Sequence, residues 1–316
     1  MAYNGIAAEP VPTLNPGSTF TITFPDMPPT FYDMYAKKDE KAQMTVFLPR
    51  NYDPSRKHPL LVFLNGGDGG NGSNPGVARA LSTEEDFVCV SVPLFKVIDP
   101  HARSGYVMQD PDARYMWPFF QTMLSKLKES VPNLDPRHQI LGGFSNGAHA
   151  TAGLIDVSEG EITRQFSAFL FVEGGGRMKH FELLKGKPFL MVSSNAKSRP
   201  RAQQICDEAK AAGAKATFIC EDVGKHAFPA SAYPAVREWL RGPAMSNLTD
   251  PLESPNEREG IHGAFVLTCD ELIATAARNT DGSIAVVVNN LKDKETFFRI
   301  WRNGQSLRYT SPPTPP

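Results

Sequence analysis

The chain has 316 residues, 41% hydrophobic and 21% charged, which supports a sizeable core and excludes disorder throughout. Lys plus Arg number 33 against 34 Asp plus Glu, for a formal net charge of −1, so no global field draws nucleic acid or an anionic membrane surface. The longest apolar runs, such as Leu60–Leu64 and Ala168–Val172, are far too short to span a bilayer.

Residues 1–17 are rich in Pro, Gly and Asn and read as a tail or wrapping segment. They lack the basic start and apolar run of an intact signal peptide. A chain already trimmed of one would look the same, so a secreted or periplasmic location stays open beside a cytoplasmic one. Strand-like runs follow at Thr19–Phe24 and Gln43–Leu48, then Leu60–Leu64 after the breakers Pro49 and Pro54. From there strands and helices alternate. Strands are expected at Asp86–Val92, His138–Leu141, Ser167–Val172, Pro188–Val192 and Ala216–Cys220. Helices are expected at Asp112–Ser130, Asn146–Asp156, Pro200–Ala212 and Ala230–Leu240. This alternation predicts an α/β fold, a mostly parallel central sheet with helices on both faces, over residues 18–243.

Composition changes after Pro243. Residues 244–259 are polar and contain proline, as a linker would. Strand-like runs at Ala264–Thr268, Ile284–Val288 and Phe297–Trp301, with a turn signal at Asn303-Gly304, predict a small β-rich C-terminal unit within 244–316. The four cysteines, Cys89, Cys206, Cys220 and Cys269, form no CxxC pair, which argues against zinc or thioredoxin-type chemistry. Cys206 and Cys220 are a candidate disulfide in an oxidising compartment.

The strongest chemical signal is Gly143-x-Ser145-x-Gly147 between an expected strand and an expected helix. A serine hydroxyl is a poor nucleophile unless it is exposed, held and given a base. A sharp strand-to-helix turn achieves the first two, and the helix N-terminus favours developing negative charge. The second signal is Leu64-Asn65-Gly66-Gly67-Asp68-Gly69-Gly70, directly after an apolar strand. Acyl transfer needs backbone N–H donors for its oxyanion, and Gly67 (with Asp68 second) and Asn146 are the candidates. The loop lacks the Gly-Lys-Ser/Thr ending of a phosphate-binding loop. The third signal is His226, late in the chain, after a strand and before a helix, where a base for Ser145 belongs. The long loop Phe95–Tyr115, with Tyr106, Met108 and Tyr115 and then Trp117, is a candidate wall for a substrate pocket.

On these residues, and on Val46–Leu64, the chain resembles the α/β-hydrolase superfamily, in its esterase branch near feruloyl and polyhydroxyalkanoate esterases. The resemblance covers about residues 18–242. It implies a Ser–His–acid triad and hydrolysis of a carboxylic ester through an acyl-enzyme. The substrate would be a small-molecule or polysaccharide-linked ester, with no metal or cofactor. Two positions depart from the pattern. Asn65 stands where members usually have histidine, and the loop after Pro188–Val192 holds Asn195 but no carboxylate where the acid is expected. Glu173, after Phe169–Val172 and before three glycines, is the leading candidate acid. Asn195 as a neutral orienter, Asp222 and Glu221 are the alternatives. A peptidase or acyltransferase would carry the same residues, and a non-catalytic binding scaffold would explain the departures.

Overall fold

The computed structural model describes residues 13–24, 43–67, 74–93, 110–176 and 178–245, and the backbone of five later strands. Contacts divide the chain into two compact units, Met1–Asn247 and Leu248–Pro316.

The first unit is built on an eight-stranded sheet in the order β1-β2-β4-β3-β5-β6-β7-β8. Its strands are β1 (Thr19–Thr23), β2 (Gln43–Phe47), β3 (His58–Leu64), β4 (Val88–Ser91), β5 (Leu134–Phe144), β6 (Ala168–Val172), β7 (Pro188–Ser193) and β8 (Lys215–Cys220). Strands β4, β3, β5, β6, β7 and β8 run parallel, while β2 is antiparallel to both β1 and β4. Every residue of β6 and β7 is buried, as expected of central parallel strands covered on both faces.

The described helices are α1 (Gly76–Ser82), α2 (Asp110–Ser130), α3 (Asn146–Val157), α4 (Glu161–Gln165), α5 (Arg199–Ala211) and α6 (Tyr233–Arg241). On one face of the sheet, Met116, Phe120 and Met123 of α2, Leu154 of α3 and Ile205 of α5 pack with Val62, Leu141, Phe169 and Phe171. On the other, Ala78 and Leu81 of α1 and Val236, Trp239 and Leu240 of α6 pack with Leu61, Phe63, Leu170 and Val192. Each fully buried side chain of this size contributes about 1.5–3 kcal/mol, and alternation along the strands feeds both layers.

Short elements escaped the sequence reading. Helices α1 and α4 span only 7 and 5 residues, too few for a helical period to stand out. Tyr115 lies within α2 rather than in a loop, edge-on to Phe119 with ring centroids 5.3 Å apart. Tyr115 and Trp117 both pack partly against the core, so the aromatic wall expected from this stretch is in part a core layer. Tyr106 and Met108 lie outside the described residues, as does Asp68. Cys206 and Cys220 are free thiols rather than a disulfide, and Cys89 is also free. Burial pushes the Cys89 thiol up to about 12. Among the described residues no helix is long and apolar enough to cross a membrane.

The second unit carries β9 (Ala264–Thr268), β10 (Leu272–Arg278), β11 (Ile284–Asn290), β12 (Thr296–Arg302) and β13 (Gln305–Ser311). Strand β10 is central in an antiparallel three-stranded sheet, with Ala274 opposite Val288 and Leu267. Strands β12 and β13 form an antiparallel pair whose register runs from Thr296↔Ser311 to Arg302↔Gln305. The sequence reading missed β10, whose Leu-Ile-Ala-Thr-Ala-Ala-Arg has little polar alternation, and β13, which is mostly polar.

Candidate active site

Five chain segments leave the same edge of the sheet after β3, β5, β6, β7 and β8, because those strands are parallel and adjacent. The backbone ladder continues one step past the strands. Ser145 N–H donates to Val172 O (2.8 Å), Glu173 N–H to Val192 O (3.0 Å) and Glu221 N–H to Ser193 O (3.0 Å). The residues just beyond β5, β6 and β8 are therefore tied to their neighbours before any side chain acts.

Ser145 sits at the tip of the turn between β5 and α3 with φ 54° and ψ −116°. Positive φ in a residue with a β-carbon costs on the order of 1–3 kcal/mol and persists only where surrounding structure enforces it. The enforcement is close backbone packing. A β-carbon on Gly147 would lie 2.0 Å from the Leu64 carbonyl oxygen, and one on Gly143 would lie 2.3 Å from the Gly147 carbonyl carbon. Only glycine lets the turn fold this tightly against β3. Glu173 is likewise at positive φ, 51°, immediately after β6. The next residue, Gly174, runs so close beneath the serine turn that a β-carbon would meet the Ser145 carbonyl oxygen at 2.4 Å.

These constraints bring together three side chains distant in sequence. His226 Nε2 lies 2.7 Å from Ser145 Oγ, and His226 Nδ1 lies 3.1 Å from Glu173 Oε2. An ionised carboxylate only accepts, so Nδ1 carries the hydrogen that faces Glu173. In the neutral imidazole Nε2 then offers its lone pair to the serine hydroxyl. The imidazole is 53% exposed while the Glu173 side chain is fully buried, which places the reacting face toward solvent and the charge behind it. The Phe144 ring stacks on the imidazole, with centroids 5.2 Å apart and planes at 28°.

The Glu173 carboxylate is unusually well supplied with donors. Oε1 accepts from the Ser194 N–H, from Ser198 Oγ (2.8 Å) and from Ser193 Oγ (3.1 Å). Oε2 accepts from Asn195 Nδ2 (3.0 Å) as well as from His226. Burial alone pushes this carboxyl up, but the hydrogen bonds from Ser194, Ser198, His226 and Ser193 outweigh it and hold it below the usual range. Ser194 reaches both partners. Its N–H binds Glu173, while its hydroxyl donates to Lys225 O (2.8 Å) and accepts from Ala227 N–H (3.1 Å), clamping the backbone on either side of His226.

The other candidate acids lie elsewhere. Asp222 accepts from the Gly224 N–H (2.9 Å) as a local turn. Glu221 is tied through its backbone to Ser193. Asn195 faces Glu173 rather than His226. Asn195 was singled out from the sequence as a candidate orienter of the histidine, but the serine and backbone donors to Glu173 were not. The available signal was the run Ser193-Ser194-Asn195 with Ser198, small polar residues after a strand where a carboxylate was expected.

The loop after β3 approaches the same turn. Asn146 Nδ2 donates to Gly67 O (2.9 Å), which pins the loop to the first residue of α3. Gly67 has φ 64°. Asn65, at the position where histidine was expected, donates to Ser91 Oγ (3.2 Å) and Asn74 O (3.3 Å), so its amide braces the loop from behind. Among the described residues no three His, Cys, Asp or Glu side chains gather as a cation site.

Residues 262–314 match a family described as the glycosyl hydrolase family 30 beta sandwich domain. No curated protein sequence matches the chain. Similar solved structures include EstE1, a thermophilic and thermostable carboxylesterase cloned from a metagenomic library. It is 15% identical, with 75% of this chain and 91% of that one covered and a TM-score of 0.48. A ferulic acid esterase is 15% identical, with coverages of 71% and 98% and a TM-score of 0.47. A carboxylesterase from Mesorhizobium loti is 14% identical, with coverages of 71% and 99% and a TM-score of 0.46. These are likenesses of chain path at low identity and assign no residue a role. The strand order, the antiparallel β2 and the strand–turn–helix passage at Ser145 make the first unit an α/β-hydrolase fold.

Proposed function

We propose that the chain is a serine hydrolase of carboxylic esters working through an acyl-enzyme. Residues 18–243 form its catalytic domain, and 244–316 form a linker and a separate β-rich unit. Ser145 Oγ attacks the ester carbonyl while His226 Nε2 takes its proton. Glu173 fixes the imidazole tautomer and balances the imidazolium. The N–H groups of Gly67 and Asn146 receive the oxyanion, and each such donor is worth about a hundredfold or more in rate. Collapse breaks the bond to the leaving oxygen, which takes the proton back from Nε2 and departs as the alcohol. Water then attacks the acyl-enzyme, gives its proton to Nε2, and the acid leaves as Ser145 is regenerated. The observation that carries this reading is the unbroken line from Ser145 Oγ through His226 to Glu173, 2.7 Å and 3.1 Å, drawn from three strand ends.

A fluorophosphonate tests it. The wild-type chain should be labelled at Ser145 and should hydrolyse members of a panel of acyl esters, with both activities gone in Ser145→Ala. Absence of labelling between about pH 6 and about pH 9 would leave only a scaffold.

A further inference from the structure

The turn after β7 holds no carboxylate, yet its side chains converge on one. Within it Asn195 is fixed at both ends of its amide. Oδ1 accepts the backbone N–H of Lys197 and of Ser198, each at 3.0 Å. With the oxygen committed to two donors, the nitrogen must be the atom 3.0 Å from Glu173 Oε2. That is the carboxylate oxygen that faces His226 Nδ1.

We propose that Asn195 is a positioning residue whose amide holds Glu173 Oε2 against His226, and that an amide rather than an acid is required there because the acid comes from β6. The inference rests on the Ser145–His226–Glu173 reading and adds the demand at position 195. Aspartate would make the same turn, since a carboxylate oxygen accepts the Lys197 and Ser198 N–H groups equally well. Its other oxygen would then stand about where Nδ2 stands, 3.0 Å from Glu173 Oε2. Two carboxylates that close do not both ionise freely, and one proton is retained between them. The groups that face Glu173 are Ser193, Ser194, Asn195 and Ser198 from the β7 turn and His226 from the loop after β8, of which His226 is the titratable one. Arg201 of α5 is turned to the Gly176 carbonyl. No cation among these contacts would offset a second negative charge.

The experiment compares Asn195→Asp and Asn195→Ala with wild type in the full chain. It reads Tm and the rate of Ser145 labelling by a fluorophosphonate from about pH 5 to about pH 9. Asn195→Asp should keep its Tm, react at least about tenfold more slowly at about pH 8, and show an ionisation in its profile that wild type and Asn195→Ala lack. Asn195→Ala should react several-fold more slowly. A residue needed only for its turn predicts the reverse: Asn195→Asp superimposes on wild type and Asn195→Ala loses Tm while keeping its rate. That result overturns the proposal. Should Asn195→Asp fail to fold, Asn195→Ala decides, and a rate within about twofold of wild type overturns it. An unlabelled wild type sinks the catalytic reading and this inference together. A labelled wild type with unaffected variants sinks this inference alone.

Discussion

Among the described residues the first unit contains three histidine–carboxylate pairs; one, His180 with Glu182 (2.9 Å), is exposed, and of the other two the tighter is not at the candidate site. Near the start of β5, His138 Nδ1 lies 2.7 Å from Asp135 Oδ2, with the two side chains 12% and 9% exposed. At the other edge of the sheet, His226 Nδ1 lies 3.1 Å from Glu173 Oε2, with the imidazole half exposed. By distance and dryness the first is the better ion pair. It is also local, three residues apart, and Asp135 is shared with the Arg137 N–H (3.0 Å) and Nε (3.2 Å). Among the described residues no hydroxyl or thiol bonds the far nitrogen of His138. What separates the two is the third partner, a hydroxyl that a strained turn delivers to His226 from 81 positions away. A histidine beside a carboxylate is a common way to finish a strand end. A histidine between a carboxylate and a serine at positive φ is the arrangement on which the proposed proton transfer rests.

The sharpest way to break this comparison is to neutralise each carboxylate in turn. Glu173→Gln keeps the shape but leaves the imidazolium without its counter-charge and frees the wrong tautomer. Labelling and ester turnover should fall by about a thousand- to ten-thousandfold. Asp135→Asn should leave both within about twofold of wild type. Equal losses would mean that the two pairs do the same thing and that the role given to Glu173 is wrong. Next in size is the turn itself. Gly147→Ala drives a β-carbon to 2.0 Å from the Leu64 carbonyl oxygen, and rigid backbone cannot yield as a side chain could. Chemical denaturation should show a loss of about 3 kcal/mol, or no folded protein at all. A stable Gly147→Ala chain would contradict the packing that forces Ser145 outward.

How far this contrast could be read from sequence depends on whether the cause was local. Gly143, Ser145 and Gly147 declare a tight turn because the steric demand lies within five residues, and His226 declared itself by lying between a strand and a helix. The alternation of apolar runs likewise announced a parallel sheet. Among Glu173, Asn195, Asp222 and Glu221, Glu173 led on its place after a strand and before three glycines, but which of them meets His226 was not legible. It turns on a positive φ at Glu173 and on which of three adjacent loops bends inward, and neither leaves a mark in composition. Ser194 was hidden for the same reason. Its hydroxyl joins segments 33 positions apart, and a serine after a strand looks like any other. In the second unit β10 and β13 were missed because small and polar residues blur a period of two.

A smaller effect sharpens the comparison from the ring side. Phe144 stacks on His226, whereas the aromatic contacts among the described residues include none to His138. An aromatic face beside a developing imidazolium is worth about 0.5–1 kcal/mol at a half-exposed site. Phe144→Leu keeps much of the apolar volume and loses that interaction. Labelling of Ser145 should slow by about two- to fivefold, with the stability of the chain little changed. No slowing would reduce Phe144 to packing.

The last expected effect is on stability alone and belongs to the pair outside the candidate site. Burial pushes the Asp135 carboxyl up, but hydrogen bonds from Arg137 and His138 outweigh that and hold it below the ordinary carboxyl range. Because its folded value is depressed, its contribution to stability is complete above the ordinary range and drains away as pH falls through the folded value. Asp135→Asn should therefore cost about 1–2 kcal/mol near neutral pH, the worth of hydrogen bonds to a charged group when one of the two partners, Arg137, is mostly exposed. The gap between variant and wild type should close as acid protonates Asp135. A gap of constant size from neutral to acid pH would show that packing, and not charge, holds this end of β5. Glu173 is depressed in the same direction, yet its loss is read in the reaction rate. The same electrostatics thus supports a strand end at one edge of the sheet and, in the proposed reaction, a proton transfer at the other.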